Sequence, residues 1–287
     1  MVTPVEDSIR TSGGGNWIPG GRVSCVSEAE DGSLWYGSPH AKLDRARPAP
    51  PADGVSSELL VVERAAFADS AARRLMAEIR RILASQDRCR LALSGGSTPR
   101  PVYERLAAEL PDRDPWSRID VFFADERCVP PADPASNYRM AKEALLDRVP
   151  IDASQVHRME GERSDQDEAA RAYEAILPGR LDLLVLGLGD DGHTASLFPG
   201  AVSLAESRRR VVAARAPRPP LDRLTITPPV ILEAGLALVL VAGADKAEAL
   251  ARVLNSPYAP DHTPGQLARA GVWIADTAAA ARLGTRR

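Results

Sequence analysis

Short apolar runs alternate with amphipathic stretches along the chain from Glu58 onward. Runs of strand length predict strands at 58–63, 89–94, 119–125, 181–189, 210–214, 224–227, 235–243 and 271–276. Apolar residues at helical spacing predict helices at 67–83, 101–110, 137–146, 165–176 and 245–254, with a short helix from Pro229. Strands that alternate with helices are typical of a mainly parallel sheet with helices on both faces. The pattern therefore predicts an α/β fold.

The first 56 residues show neither a helical nor a strand period. They hold three consecutive glycines at 13–15 and clustered prolines at 48–51. Because such a composition favours disorder, we predict a mostly disordered extension over 1–56 and a single α/β domain over 57–287. The extension is interpreted as dispensable, or as the result of a start codon assigned too far upstream. The alternative is a docking tail that uses its aromatic residues Trp17, Trp35 and Tyr36.

The composition argues against several classes of partner. The formal net charge is −3 over 287 residues, so the chain has no basic excess for a nucleic acid or an anionic membrane. Cys25, Cys89 and Cys128 are far apart and form no CxxC pair, which indicates neither a disulfide framework nor a zinc site. The longest apolar segments are shorter than the roughly 20 residues that span a bilayer. We therefore predict a cytoplasmic protein that binds neither nucleic acid nor membrane.

Two glycine-rich turns follow predicted strands and hold the candidate chemistry. The first, SGGSTP at 94–99, offers consecutive backbone N–H groups without bulky side chains, two hydroxyls, and a proline that opens the next helix. These features suit a phosphate held at a helix N-terminus. The turn lacks the distal Gly-Lys of a P-loop, so spacing alone favours phosphate binding only slightly over an ordinary strand-to-helix turn.

The second turn, GLGDDGH at 187–193, combines an imidazole with carboxylates. Asp191 lies two residues before His193 and can orient the ring for acid or base chemistry; a structural histidine is the alternative. The turn also matches G-x-G-x-x-G, but its aspartates would repel a pyrophosphate, and Pro199-Gly200 leaves little room for the required helix. We therefore reject a dinucleotide site. The other histidines lie in no metal-binding motif, and no metal is predicted.

Charged residues near other strand ends complete the set of candidates. Asp125 is a candidate active-site carboxylate, and Arg127 is a candidate partner for an anion or oxyanion. A solvated charged loop is the alternative interpretation of this segment. Arg223 and Lys246 could each bring a cation to a phosphate, although single exposed cations are common. Since the carboxyl ends of parallel strands meet at one edge of a sheet, we expect these residues at one crevice.

Five motifs, in the same order along the chain, resemble the 6-phosphogluconolactonase family. They are LALSGGSTP at 91–99, DVFFADER at 120–127 followed by Asn137-Tyr138, LDLLVLGLGDDGHTASLFPG at 181–200, RLTIT at 223–227 and VAGADKAEAL at 241–250. The likeness extends from about Glu58 to the C-terminal region. It implies a Rossmann-like, doubly wound fold and metal-independent hydrolysis of 6-phospho-D-glucono-1,5-lactone in the pentose phosphate pathway, without a cofactor.

The resemblance also implies roles for the candidate residues. The residues expected to bind the phosphate are Ser94, Gly95, Gly96, Ser97, Thr98, Arg223 and Lys246. The residues expected to take part in catalysis are His193, Asp191, Asp125 and Arg127. The same superfamily contains glucosamine-6-phosphate deaminases, whose histidine motif continues to an Asn-Glu-Pro; here Phe198 stands at the glutamate position. We therefore expect a lactonase that acts on a small sugar-phosphate lactone as a monomer or small homo-oligomer. A deaminase and a non-catalytic sugar-phosphate sensor are the alternatives.

Overall fold

The computed structural model describes residues 58–284 and two short strands that precede them. The chain divides into two units, Met1–Ala46 and Arg47–Arg287. The predicted disorder of 1–56, and the predicted domain boundary that follows it, fall largely outside the described residues. Both therefore stay predictions.

The first unit contains an antiparallel pair of strands, β1 (Cys25–Glu28) and β2 (Leu34–Gly37). Cys25 lies opposite Gly37, and Glu28 lies opposite Leu34. The sequence pattern does not predict this pair, because strands of this length show too little alternation to be told from a loop.

The second unit alternates strands and helices, and every predicted strand and helix has a counterpart in it. Its described strands are β3 (Glu58–Val62), β4 (Cys89–Leu93), β5 (Ile119–Phe123), β6 (Asp125–Arg127), β7 (Leu183–Gly187), β8 (Val211–Arg215), β9 (Asp222–Ile226), β10 (Ala237–Val241) and β11 (Val272–Asp276). Its described helices are α1 (Phe67–Ser85), α2 (Pro99–Glu109), α3 (Arg113–Trp116), α4 (Asn137–Ala144), α5 (Gln166–Ile176), α6 (Pro228–Glu233) and α7 (Ala247–Asn255). Short 3₁₀ turns lie at Arg64–Ala66, Leu146–Arg148, Ala153–Gln155, Val202–Ala205, Ala244–Lys246 and Pro264–Ala268.

A parallel sheet in the order β3-β11-β10-β7-β4-β5 forms the centre of this unit. The chain runs outward from β4 to β5 and then returns to the other side of β4 as β7. In doubly wound sheets, such a change of direction opens a crevice at the carboxyl ends of the two central strands. The prediction of a doubly wound, mainly parallel α/β fold is confirmed.

Two apolar layers cover the faces of the parallel sheet. Along β4, Leu91 and Leu93 belong to the layer that contains residues of α1, α2 and α4. Ala92, between them, belongs to the layer that contains residues of α5, α6 and α7. Strands buried on both faces need apolar residues at every position, which explains the continuous apolar runs in the sequence. Burial of each large aliphatic side chain contributes about 1.5–3 kcal/mol, so these layers hold the strand ends firmly in place.

A second, antiparallel sheet in the order β6-β9-β8 corrects one predicted strand. The run 119–125 is predicted as a single strand, but β5 ends at Phe123 and β6 belongs to the other sheet. Ala124 connects the two sheets: its N–H donates to Leu93 O (2.8 Å), and its carbonyl accepts from Ile226 N (2.9 Å). The pattern misses this break because Ala124 is buried and apolar like the strand before it.

Two helix starts near the carboxyl edge also differ from the prediction. Helix α2 begins at Pro99 rather than Pro101, because proline suits the first helical position: its fixed φ matches the helix, and it lacks the N–H that would have no partner there. Helix α7 begins at Ala247 rather than Asp245, because a 3₁₀ turn over Ala244–Lys246 precedes it. Among the residues that the structure describes, every helix is too short or too polar to span a membrane.

Candidate active site

A pocket of about 560 Å³ opens at the carboxyl ends of β4 and β7, with residues of the small antiparallel sheet in its wall. Its lining includes all the site residues chosen from the sequence: Ser94, Gly95, Gly96, Ser97, Thr98, Asp125, Arg127, Asp191, His193, Arg223 and Lys246. The topology therefore brings these distant segments together. The roles assigned to them remain predictions.

A buried tyrosine fixes the start of the glycine-rich turn at 94–98. The hydroxyl of Tyr103 accepts a hydrogen bond from Ser94 N (3.1 Å) and donates one to Ser94 O (3.0 Å). The Ser94 hydroxyl is buried and has no partner within the described ranges. Helix α2 begins directly after the turn, and the first N–H groups of a helix have no partner inside it. The turn thus offers the donors that an anion requires.

The two glycines of this turn are both required by the geometry. A Cβ at Gly95 would lie 1.7 Å from Asn137 Oδ1 at the start of α4. Gly96 has a φ of +101°, a backbone conformation that residues with a side chain rarely adopt. The backbone can therefore approach both α4 and a ligand closely.

Asp125 is a buried carboxylate, 7% exposed, with a hydrogen bond to each oxygen. Its Oδ1 accepts from Asn137 Nδ2 (3.1 Å), and its Oδ2 accepts from Ser196 Oγ (2.7 Å). Asp125 therefore ties β6 to α4 and to the segment that follows His193. Since Glu126 is also buried, the interpretation of this stretch as a solvated charged loop is wrong.

Glu126 sets the position of α4 beside the pocket. Its carboxylate accepts hydrogen bonds from Asn137 N (2.7 Å), Tyr138 N (2.8 Å) and Ser136 Oγ (3.0 Å). Burial raises the pKa of Glu126 above its usual value, although the backbone N–H donors act in the opposite direction. A carboxylate at this helix N-terminus holds Asn137 in place for its contact with Asp125.

Arg127 and Arg223 place two guanidinium groups next to each other in the pocket wall, on paired positions of β6 and β9. Arg223 Nε and Nη1 and Arg127 Nε are buried and find no acceptor among the described residues. Arg127 Nη1 donates to Ala135 O (2.6 Å). Burial lowers the pKa of Arg223, and the neighbouring Arg127 charge lowers it further. Buried cations with unpaired donors are unfavourable on their own, so this wall favours a bound anion.

Lys246 adds a further cation to the pocket lining, on the 3₁₀ turn after β10. Its Nζ lies 3.0 Å from Asp245 Oδ2, and this hydrogen bond lowers the pKa of Asp245. The turn is anchored by Gly243, which has a φ of +109° and donates its N–H to the Asp276 carboxylate (3.1 Å). A lysine paired only with an exposed carboxylate can exchange readily to a ligand anion.

His193 and Asp191 form a hydrogen-bonded pair in the second turn. Asp191 Oδ1 lies 2.6 Å from His193 Nδ1 and accepts from His193 N (2.9 Å). Burial alone would raise the pKa of Asp191, but the hydrogen bonds from His193 outweigh it and lower that pKa. Because an ionised carboxylate only accepts, Nδ1 must carry a proton, which leaves the lone pair of a neutral ring on Nε2. A Cβ at Gly189 would lie 2.1 Å from Nδ1, so the pair requires glycine there.

Three further pocket residues have no site role predicted from the sequence, and two of them contact a predicted site residue. Asn137 and Ser196 line the pocket and hydrogen-bond Asp125. Arg218 lies on the loop between β8 and β9, and its Nη1 lies 3.6 Å from Asp190 Oδ2. The sequence signal for this loop is a cation bracketed by prolines, APRPP, immediately before β9.

Comparison with known proteins agrees with this geometry. A family model described as glucosamine-6-phosphate isomerases/6-phosphogluconolactonase matches residues 62–275. A 6-phosphogluconolactonase of Synechocystis sp. is 35% identical over 248 residues, which cover 82% of this chain and 99% of the relative. One from Nostoc sp. is 40% identical over 216 residues, which cover 69% of this chain and 86% of the relative.

A solved structure shows the same fold. The crystal structure of 6-phosphogluconolactonase from Thermotoga maritima superposes with a TM-score of 0.69 at 28% identity. The match covers 77% of this chain and 100% of that chain. The fold, the motifs and the family match therefore agree, and the chain belongs to the glucosamine-6-phosphate isomerase/6-phosphogluconolactonase family.

Proposed function

We propose that this chain hydrolyses 6-phospho-D-glucono-1,5-lactone to 6-phospho-D-gluconate in the oxidative pentose phosphate pathway. The observation that carries the proposal is one pocket with unpaired arginine donors in its wall and a His–Asp pair in a neighbouring turn. The arginines suit a phosphate, and the histidine suits the activation of water. The family match and the named relatives point to the same reaction.

The phosphate of the substrate is held by the first turn and the cations. The donors are the 94–98 turn, Arg223 and Lys246, all of which line the pocket. Arginine offers a planar fork and lysine a point charge, and both fit a phosphate dianion. Holding the phosphate fixes the lactone carbonyl near His193, which removes much of the entropic barrier to attack.

His193 acts as the general base. Its Nε2 takes a proton from water as the water oxygen attacks the lactone carbonyl carbon. When the tetrahedral intermediate collapses, the bond from that carbon to the ring oxygen breaks, and the ring oxygen receives the proton from His193. The carboxylic acid formed in this step loses its proton to solvent and becomes the carboxylate of the product. Asp191 holds the ring in the required tautomer and stabilises the transient imidazolium.

Two further residues of the pocket support this step. Arg127 or backbone N–H groups of a pocket turn stabilise the oxyanion of the intermediate. Asp125 is assigned a positioning role rather than proton transfer, because Asn137 and Ser196 already donate to its two oxygens. The reaction requires water and no cofactor. We also propose that the protein is cytoplasmic and works as a monomer or small homo-oligomer.

The identity of residue 198 favours the lactonase over a deaminase of the same family. Phe198 lines the pocket, and its ring centroid lies 4.7 Å from that of His193. An aromatic ring therefore stands beside the histidine where a deaminase has its glutamate. A phenyl ring cannot exchange the proton that ring opening of an amino sugar needs. Ammonia release from glucosamine 6-phosphate would contradict this choice.

A coupled assay with freshly generated 6-phosphogluconolactone tests the function and the base together. We expect His193→Ala to lower kcat by about 10²–10⁴-fold, the usual contribution of a general base. His262→Ala is the matched control, because His262 is exposed and does not line the pocket. Near-wild-type turnover by His193→Ala, after subtraction of spontaneous hydrolysis, would remove His193 from the mechanism. A wild-type chain that leaves the lactone unchanged but binds sugar phosphates would instead be a sensor.

A further inference from the structure

The hairpin of β8 and β9 presents cations at two depths of the pocket. Arg223 is buried on β9, whereas the side chain of Arg218, on the connecting loop, is 82% exposed. The hydrogen bond from Ala216 N to Leu221 O (2.6 Å) closes this loop. The prolines of the loop restrict the backbone on both sides of Arg218, so the point from which its side chain extends is largely fixed. These prolines are Pro217, Pro219 and Pro220.

Arg218 reaches toward the histidine turn at 187–193. Its ion-pair partner Asp190 belongs to the same tight turn as His193, which the hydrogen bond from Gly189 N to His193 O (2.8 Å) closes. Asp190 is itself held in place, because its Oδ1 accepts from Asp191 N (3.1 Å). An ion pair this exposed contributes little to stability, so a ligand anion can replace Asp190 at small cost.

The proposed reaction creates a new charge at this end of the pocket. Hydrolysis converts the neutral lactone group of the substrate into a carboxylate beside His193 and Asp191. The ionised Asp191 repels that carboxylate, so a nearby cation is needed to hold it. A guanidinium is the best match, because its N–H groups bind both carboxylate oxygens at once.

We propose that Arg218 binds the carboxylate of the sugar-acid phosphate product, and that Asp190 competes with that carboxylate for the same guanidinium. This inference rests on the proposed function. Arg218 thereby distinguishes ligands that end in a carboxylate from sugar phosphates that end in an alcohol. Asp190 limits the strength of product binding, because the product must displace it before the guanidinium becomes available.

Calorimetric titration of the full chain with two unreactive ligands tests this inference. The ligands are 6-phosphogluconate and glucitol 6-phosphate, which share carbon-chain length and phosphate but end in a carboxylate and an alcohol. We expect Arg218→Gln to weaken 6-phosphogluconate binding by about fivefold and to change glucitol 6-phosphate binding by less than about twofold. We expect Asp190→Asn to tighten 6-phosphogluconate binding by about two- to fivefold, since its amide competes less for the guanidinium.

Arg215→Gln is the matched control. Arg215 lies on the same hairpin, is exposed, pairs with Asp222 (3.2 Å) and does not line the pocket, so its loss should affect neither ligand. Equal weakening of both ligands by Arg218→Gln would show that Arg218 binds phosphate, and no change in either would show that it binds neither group. Both results overturn the inference. Lactone turnover by the same wild-type preparation separates these outcomes from failure of the proposed function, which would appear as absent turnover.

Discussion

The arginine wall, formed by Arg127 and Arg223, and the histidine turn at 187–193 differ in the hydrogen-bonding groups that they leave unpaired. In the wall, Arg127 Nε and Arg223 Nε and Nη1 are buried and have no acceptor among the described residues, and Arg223 is only 8% exposed. In the turn, His193 and Asp191 bond each other, yet their side chains are 31% and 37% exposed. The wall is thus incomplete until an anion arrives, whereas the turn is complete but open to water.

This difference separates binding from chemistry. A buried, unpaired cation gains most from a ligand that supplies the missing acceptor, so the wall contributes affinity. A histidine oriented by a carboxylate needs no ligand to reach its working geometry, so the turn contributes preorganisation. If this division is correct, changes in the turn lower kcat and leave phosphate binding intact, while loss of Arg223 weakens phosphate binding and changes kcat less.

Among the changes that separate the turn from the wall, the largest effect is expected from Gly189→Ala, which disrupts the His–Asp pair and leaves the wall unchanged. The new Cβ would lie 2.1 Å from His193 Nδ1 and 2.6 Å from Asp191 Oδ1, so the pair must separate. We expect kcat to fall by about 10²-fold, as for a misplacement of catalytic groups by roughly 1 Å. Glucitol 6-phosphate, which needs no base, should bind as tightly as it does to the wild type.

Gly179→Ala is the control for this substitution, because a Cβ at Gly179 has nothing within 4 Å and the residue lies outside the pocket. The atoms that Gly189→Ala displaces are side-chain ends, so the thermal midpoint should change little. Wild-type turnover by Gly189→Ala would mean that the His–Asp contact is not needed for the reaction.

Arg223→Met is expected to have a smaller effect on catalysis, because it weakens substrate binding and leaves the His–Asp pair in place. The substitution keeps a long side chain but removes the buried charge, whose pKa is already lowered by burial and by Arg127. Loss of charge-assisted hydrogen bonds to phosphate should raise KM by about 10- to 100-fold while kcat changes less. Because an unpaired buried charge is also removed, the ligand-free protein should become more stable by about 1 kcal/mol.

Steady-state kinetics measure the expected rise in KM, and denaturant unfolding measures the expected gain in stability. Arg215→Met provides the comparison, since Arg215 lies on the neighbouring strand β8, is exposed and does not line the pocket. A destabilised Arg223→Met variant with an unchanged KM would show that Arg223 supports the fold instead of the substrate.

The parts of this site that sequence predicts are the local ones. Both glycine-rich turns follow apolar runs, and each places its polar groups within a few residues of a strand end. The His193–Asp191 pair spans two residues, so spacing alone brings it within reach. The two-sided burial of the parallel strands is equally local, because it requires only an unbroken apolar run.

The parts that sequence does not predict depend on contacts between distant segments. Asp125 and Ser196 are 71 residues apart and meet only because β6 leaves the parallel sheet at Ala124. The pairing of Arg127 with Arg223 follows from the register of β6 and β9, which no periodicity specifies. The sequence shows which residues are charged. The sheet that each short strand joins decides which of these charged residues become neighbours.

The smallest expected effect concerns the pH dependence of stability in the histidine turn. The pKa of Asp191 is lowered in the folded state, so its contribution is full above the unfolded value and disappears as pH falls through the folded value. Asp191→Asn should therefore be less stable than the wild type at pH 7, with the difference shrinking below about pH 4. Solvent screens this half-exposed pair, so the difference should stay below about 1 kcal/mol. Denaturant unfolding at a series of pH values measures it, and a gap that stays constant down to pH 3 would show that the ionised carboxylate does not stabilise the turn.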